Sequence, residues 1–197
     1  MNKKLFVLAL LVVGALIGTG GSLITAEIVH NTGNEAFCGS CHSMEPMAKT
    51  FKLDVHGGNN DRGFVAECAD CHLPHDSVVS YMIDKTKHGI NDVFVETFTN
   101  TEEIDWIARR SERARYVFDS GCLSCHQDLL DKTIASNPKS LQTHAHYKNQ
   151  LAKEDPIQCV SCHATIGHAD QLRTVLNETN PEYSFSSSKA MAITKKH

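Results

Sequence analysis

The sequence has no surplus of positive charge. Nineteen lysines and arginines against 23 aspartates and glutamates leave a formal net charge of -4, which gives no sign of nucleic-acid binding. It also lacks the alternating apolar pattern that marks an array of strands. Aromatic residues are modest at 7%, and a good part of the 41% hydrophobic content lies near the N-terminus. What remains is lean for an ordinary side-chain core, so something other than side chains is expected to fill the interior of these 197 residues, which have room for one domain or two very small ones. No cysteine stands alone. All eight occur as pairs: Cys38 and Cys41, Cys68 and Cys71, Cys122 and Cys125, Cys159 and Cys162.

A histidine follows each pair: His42, His72, His126 and His163. The C-x-x-C-H pattern is the attachment motif of c-type haem. Two thiols form thioethers with the porphyrin vinyl groups, and the next residue offers an imidazole to one face of the iron. Paired C-x-x-C could instead form structural zinc knuckles, and eight cysteines in an exported chain could form disulfides. Neither needs a histidine directly after every pair. The reading is four covalently bound haem c groups.

Haem is joined to this motif outside the bacterial cytoplasm, so an exported chain is expected. Lys3 and Lys4 precede an uncharged run from Leu5 to Ile24. At about 1.5 Å per residue this run reaches roughly 30 Å, enough to cross a bilayer, with the lysines at the cytoplasmic end. The expectation is an uncleaved anchor over residues 1–30. A cleaved signal peptide, cut after Ala26, competes with it, although Ile24 makes a poor cleavage site. No cysteine lies near the segment, which excludes a lipoprotein anchor.

Beyond the anchor, short helices punctuated by the motifs are expected. Val78 to Phe98 reads as helical, with Gly89 a candidate kink. Asn100 and Glu103 resemble a capping box, and Ile104, Ile107, Ala114 and Phe118 recur at helical spacing. Gly121 reads as a stop before the third motif, and Pro138 to Lys153 as a helix. The fold class is all-α: one transmembrane helix and a small multihaem domain with little regular structure, over 31–178, followed by a polar, mobile tail over 179–197. The motif spacing suggests two di-haem halves, and no repeat is visible beyond the motifs themselves.

Four irons have eight axial positions, and the motif histidines fill at most four. His30, His56, His75, His88, His144, His146, His168, His197 and the methionines are the other candidates. Met44, two residues after His42, is a second good ligand close to the first motif, with Met47 a rival.

The four motifs, the H-G-G loop at His56 to Gly58, the run Cys71 to His75 and the run Cys162 to His168 together resemble the NapC/NirT family of membrane-anchored tetrahaem cytochromes c, which are quinol dehydrogenases. The resemblance reaches about His168. It implies that Met44 and not His42 ligates the first iron, whose opposite face lacks a strong ligand. It implies His56 as distal ligand of the fourth haem and His168 of the third. For the second haem it leaves His144, His146 or a partner's residue, with His144 favoured. It implies a quinol site on the helix after the second motif. There Asp92 acts as proton acceptor and Lys85 orients the quinol, two turns apart on one face, with Asp84 and Lys87 nearby. His88 reads as a surface residue. The expected activity is oxidation of menaquinol or ubiquinol at the bacterial inner membrane. Electrons then pass to a periplasmic terminal reductase or other cytochrome. The alternatives are a soluble tetrahaem shuttle and a small reductase acting at an open haem.

Overall fold

The structure is a computed structural model and describes residues 2–132, 137–154, 156–168 and 171–183. Helix α1 runs over Lys3–Asn31, 29 residues without a break. At ~1.5 Å per residue it is about 44 Å long, which matches a bilayer with its headgroup layers. It buries none of its residues against the rest of the protein, and it is the one described helix long and apolar enough to cross a membrane. Two of its hydroxyl side chains are satisfied within the helix. Ser22 Oγ donates to the Gly18 carbonyl at 2.8 Å and Thr25 Oγ1 to the Gly21 carbonyl at 2.9 Å, as an apolar solvent requires.

The remaining helices are short. They are α2 (Glu35–Cys38), α3 (Glu45–Lys52), α4 (Cys68–His72), α5 (Val78–Phe98), α6 (Trp106–Arg109), α7 (Asp119–Cys125), α8 (Pro138–Gln150), α9 (Cys159–Cys162) and α10 (Leu172–Thr179), with single 3-10 turns between them. No strand occurs among the described residues. The all-α reading holds, and α5 has the limits expected of it. Ser77 starts α5 by accepting from the Ser80 amide at 3.0 Å, and the helix continues through Gly89.

Two local expectations are corrected. Ile104 to Phe118 is not one helix. Asn100 caps only the turn Thr101–Glu103. Asp105 then starts α6 afresh by accepting from the Ala108 amide at 2.9 Å, and α6 gives way to a 3-10 segment, Arg110–Arg115. Strong N-cap side chains inside the stretch outcompete its apolar spacing. Gly121 does not stop a helix either; it lies inside α7. A Cβ there would sit 2.1 Å from the carbonyl oxygen of Asp70, so glycine is needed for close approach of α7 to α4.

The side-chain core is small. Leu172, Leu176 and Tyr183 are buried against Met47, Trp106 and Ile107. Packing therefore continues to Tyr183, past the boundary at 178 read from composition; residues 184–197, with His197, lie outside the described residues. The anchor is stitched to the body where it ends. The Ala69 amide donates to the Gly33 carbonyl at 3.0 Å, and Lys85 Nζ donates to the Thr32 carbonyl at 3.1 Å.

Gly121→Ala is expected to destabilise the folded protein by about 1–3 kcal/mol or more, the range for overpacking a tight contact. The backbone of α4 must move to admit the methyl group. A lowered thermal midpoint of the full-length protein, set against a Gly89→Ala reference whose added methyl group meets open space, checks this.

Candidate functional site

The four motifs are brought into a chain of neighbours by their own backbones. The Cys38 and Cys68 thiols hydrogen-bond each other, which holds the Cys38 pKa down and pushes that of Cys68 up. Cys122 and Cys159 form the same contact. Between these halves, the Phe118 amide donates to the Cys71 carbonyl at 3.0 Å, beside the Gly121 approach. Asp119 ties the third motif to the fourth. Its Oδ1 accepts from the Cys159 amide at 2.9 Å and its Oδ2 from the Tyr147 hydroxyl at 2.6 Å. The motifs thus meet in the order first, second, third, fourth, and none of the eight cysteines is paired in a disulfide.

Three of the motif histidines face a second histidine from a distant segment. His72 and His168 have ring centres 6.1 Å apart, His126 and His56 6.3 Å, and His163 and His144 6.3 Å. Two metal–nitrogen bonds of about 2.0 Å, with about 1.1 Å from each nitrogen to its ring centre, give roughly 6 Å. The spacing fits one metal held between two imidazoles. Edge-to-face ring packing also spans such distances, but it does not require each motif histidine to meet a non-motif histidine. The second-sphere contacts point the same way. His72 Nδ1 lies 2.7 Å from the Tyr116 carbonyl, His168 Nδ1 3.1 Å from the Met47 carbonyl, and His56 Nδ1 3.1 Å from Asp54 Oδ1. An Nδ1 that donates to oxygen leaves Nε2 as the free lone pair. Burial pushes the His168 pKa down to about 4 and that of His72 down as well, so both rings are neutral, the form that ligates metal.

His56, His144 and His168 each lie against a motif histidine, but not against the one expected. His56 faces the third motif and not the fourth. His168 faces the second and not the third. His144 faces the fourth and not the second, and it does so in place of His146, whose Nε2 lies 3.2 Å from Gln150 Nε2. The pairing follows from where the short helices pack. The backbone of α3 holds the His168 ring through the Met47 carbonyl, and α8, which carries His144, is tied to the start of α9 through Tyr147 and Asp119. His75 is engaged elsewhere, with Nε2 3.2 Å from the Ala69 carbonyl, and His30 Nδ1 is 3.8 Å from Glu67.

The first motif differs. Among the described residues, no histidine faces His42. Its Nε2 lies 2.9 Å from Glu182 Oε1, its Nδ1 3.6 Å from Glu45 Oε2, and the Tyr183 ring centre 5.7 Å from its own. Met44, half-buried, ends the 3-10 turn His42–Met44 and leads into α3. Helix α5 runs beside this motif. Lys85, partly buried, has its pKa lowered by burial, and its Nζ is 5.7 Å from the Tyr81 ring centre. Asp92 is exposed. Lys85 and Asp92 both act electrostatically on Cys38, in opposite senses. Burial raises the Cys41 pKa, and the Glu96 and Asp92 carboxylates raise it further. Glu96, absent from the sequence reading, is the acid in direct contact: it accepts from Ser43 Oγ at 2.5 Å. Its position one turn beyond Asp92 was the available signal. Asp84 is instead paired with Lys87 at 3.3 Å. The other face of α5 is apolar and exposed. Gly89, Ile90, Val93, Phe94 and Phe98 line an open groove on it.

Comparison with known proteins gives a match to the model of the NapC/NirT cytochrome c family, N-terminal region, over residues 1–173. The chain is 36% identical to the cytochrome c-type protein TorY of Escherichia coli O157:H7 over 85% of its own length, but spans only 46% of that relative. It is 31% identical to the tetraheme c-type cytochrome CymA of Shewanella oneidensis, over 85% of this chain and 92% of CymA. Against NrfH, a cytochrome c nitrite reductase subunit of Nitratidesulfovibrio vulgaris, it is 26% identical over 76% of the chain. A chain of the cytochrome c nitrite reductase NrfHA complex, solved with the inhibitor HQNO, shares the fold with a TM-score of 0.53 and 21% identity, covering 90% of this chain and 99% of that one.

His144→Ala is expected to turn one low-spin haem high-spin, while His146→Ala leaves the spectrum unchanged. Electron paramagnetic resonance of the oxidised full-length protein separates the two. A response to His146→Ala alone would contradict the His144–His163 pairing.

Proposed function

Because the chain belongs to the NapC/NirT cytochrome c family, we propose that it is a quinol dehydrogenase of the bacterial inner membrane. In this reading residues 1–30 anchor it, and the tetrahaem domain in the periplasm starts at residue 31 and includes the packed turn Pro181–Tyr183. It takes electrons from menaquinol or ubiquinol and hands them to a periplasmic terminal reductase or another cytochrome. The chain carries four c-type haems. The eight motif cysteines would attach them. His72 with His168, His126 with His56, and His163 with His144 would ligate three of the irons, and Met44 the first. Bound in this way, the haems supply one-electron steps along the chain of motifs.

The observation that carries this reading is the asymmetry of the first motif. Three motifs meet a second imidazole, and the first instead lies beside a helix with acids and a lysine on one face and bare apolar residues on the other. A thioether ligand is a softer donor than imidazole and raises the potential, which suits a haem that accepts electrons from quinol. Oxidation of quinol to quinone releases two protons and two electrons. Asp92 takes a proton from a quinol oxygen, and Lys85 orients the ring through its ammonium group. The Lys85 contact with Thr32 supports a site at the membrane surface, since Thr32 caps the anchor helix. The groove of Ile90, Val93 and Phe94 on the outer face of α5 suits an isoprenoid tail arriving from the lipid. Each of the two protons leaves in turn by exposed Asp92 into the periplasm.

In nanodiscs, a menaquinol analogue is expected to reduce the haems rapidly. Asp92→Asn should slow this about 10²–10⁴-fold, the usual contribution of a positioned base, while dithionite still reduces every haem. Stopped-flow absorbance reads both. Failure of any quinol to reduce the unaltered protein would overturn the function and leave a tetrahaem shuttle. An undiminished rate in Asp92→Asn would keep the function and remove Asp92 from it, with Glu96→Gln the next variant to compare.

A further inference from the structure

We propose that Glu182 holds the imidazole of His42 turned away from the first iron, and so leaves that axial position to Met44. This rests on the reading of Met44 as a ligand and adds what enforces it. A motif histidine ligates through Nε2. In His72 the Nδ1 is the nitrogen taken up by protein, by the Tyr116 carbonyl at 2.7 Å, and Nε2 is left to face His168. In His42 it is Nε2 that is taken up, at 2.9 Å from Glu182 Oε1, while Nδ1 looks toward Glu45 Oε2 at 3.6 Å. An Nε2 that donates a hydrogen to a carboxylate has no lone pair for iron.

The carboxylate that takes this hydrogen is fixed by the packed end of the described chain. Tyr183, next in sequence, is buried with Leu172 and Leu176 against Met47, Trp106 and Ile107. Asn180 Nδ2 donates to Glu45 Oε2 at 3.3 Å, and Lys49 pairs with Glu45 Oε1 at 2.5 Å. Both carboxylates around the His42 ring are therefore anchored, one through α3 and one through the turn Pro181–Tyr183. Glu182 lies beyond residue 173, where the match to the family model ends. The ligand at the first haem is thus set by a segment outside the matched region. Glu182 is a positioning residue, acting through His42.

The test is resonance Raman spectroscopy of the fully reduced, full-length protein. An iron–imidazole stretching band comes from a five-coordinate haem held by one histidine, and the three bis-histidine haems do not give it. The band is expected to be absent from the unaltered protein and from Glu182→Gln, whose amide oxygen still accepts from Nε2. It is expected to appear in Glu182→Ala, with a fall in the first-haem potential, as His42 swings onto the iron. A Met44→Ala protein without the band and a Met44→Ala/Glu182→Ala protein with it give the same answer by a gain of signal, which loss of folding does not produce. The bis-histidine signals report the fold in every variant. A band already present in the unaltered protein would overturn Met44 as the ligand. Its absence from Glu182→Ala and from the double variant, with Met44 still required, would overturn the role of Glu182 alone.

Discussion

The facing of imidazoles from remote parts of the chain is the constraint on which the rest of this structure depends. His56, His144 and His168 each come from a different segment and each meets a motif histidine at a spacing that suits one metal between them. A chain with so small a buried cluster of side chains does not hold these segments by hydrophobic burial alone. The hydrogen bonds are placed accordingly. Carbonyls of Tyr116 and Met47 and the carboxylate of Asp54 fix the outer nitrogens of the rings, and Asp119 and the Gly121 approach fix the distances between motifs. Orientation is supplied locally by short elements, and cohesion by what the imidazoles share.

The first motif shows the same principle applied in the opposite sense. Ring nitrogens are again fixed by oxygen, but at His42 the fixed nitrogen is the one that elsewhere stays free. One extra carboxylate is enough to change what the same five-residue motif does. Beside it, α5 buries none of its residues and is held through Lys85 at the anchor and Glu96 at Ser43. Its inner face is charged and its outer face apolar, an arrangement suited to a boundary between lipid and water.

Much of this was legible in the sequence. The C-x-x-C-H motifs, the uncharged run after Lys4 and the limits of α5 are local signals, and local signals survive folding. The resemblance also singled out His56, His144 and His168, which the fold brings to motif histidines. Their pairing was not legible. Which imidazole meets which is decided by the tertiary contacts that hold His168 at Met47 of α3 and α8 at Asp119, and no spacing along the chain encodes that. Gly121 was misread for a related reason. A glycine before a motif looks like a helix stop, and only the position of Asp70 across the contact reveals that space was the requirement. Glu182 gave no signal at all, since a single acid in a polar stretch is ordinary until the turn around Tyr183 brings it to His42.

The crossing of the pairs bears on how such a molecule is assembled. A chain made from its N-terminus presents its second motif long before His168 exists, and His56 long before the third motif. His144 and His163, close in sequence, complete each other as soon as both are made. The second site is therefore the last to close, and its closure draws the end of the chain back to the middle. In the proposed ligation, release of the chain between residues 163 and 168 would leave the paired-imidazole sites of the third and fourth motifs able to form and that of the second half-built, so such a truncated product would declare itself by an open coordination position at the second motif.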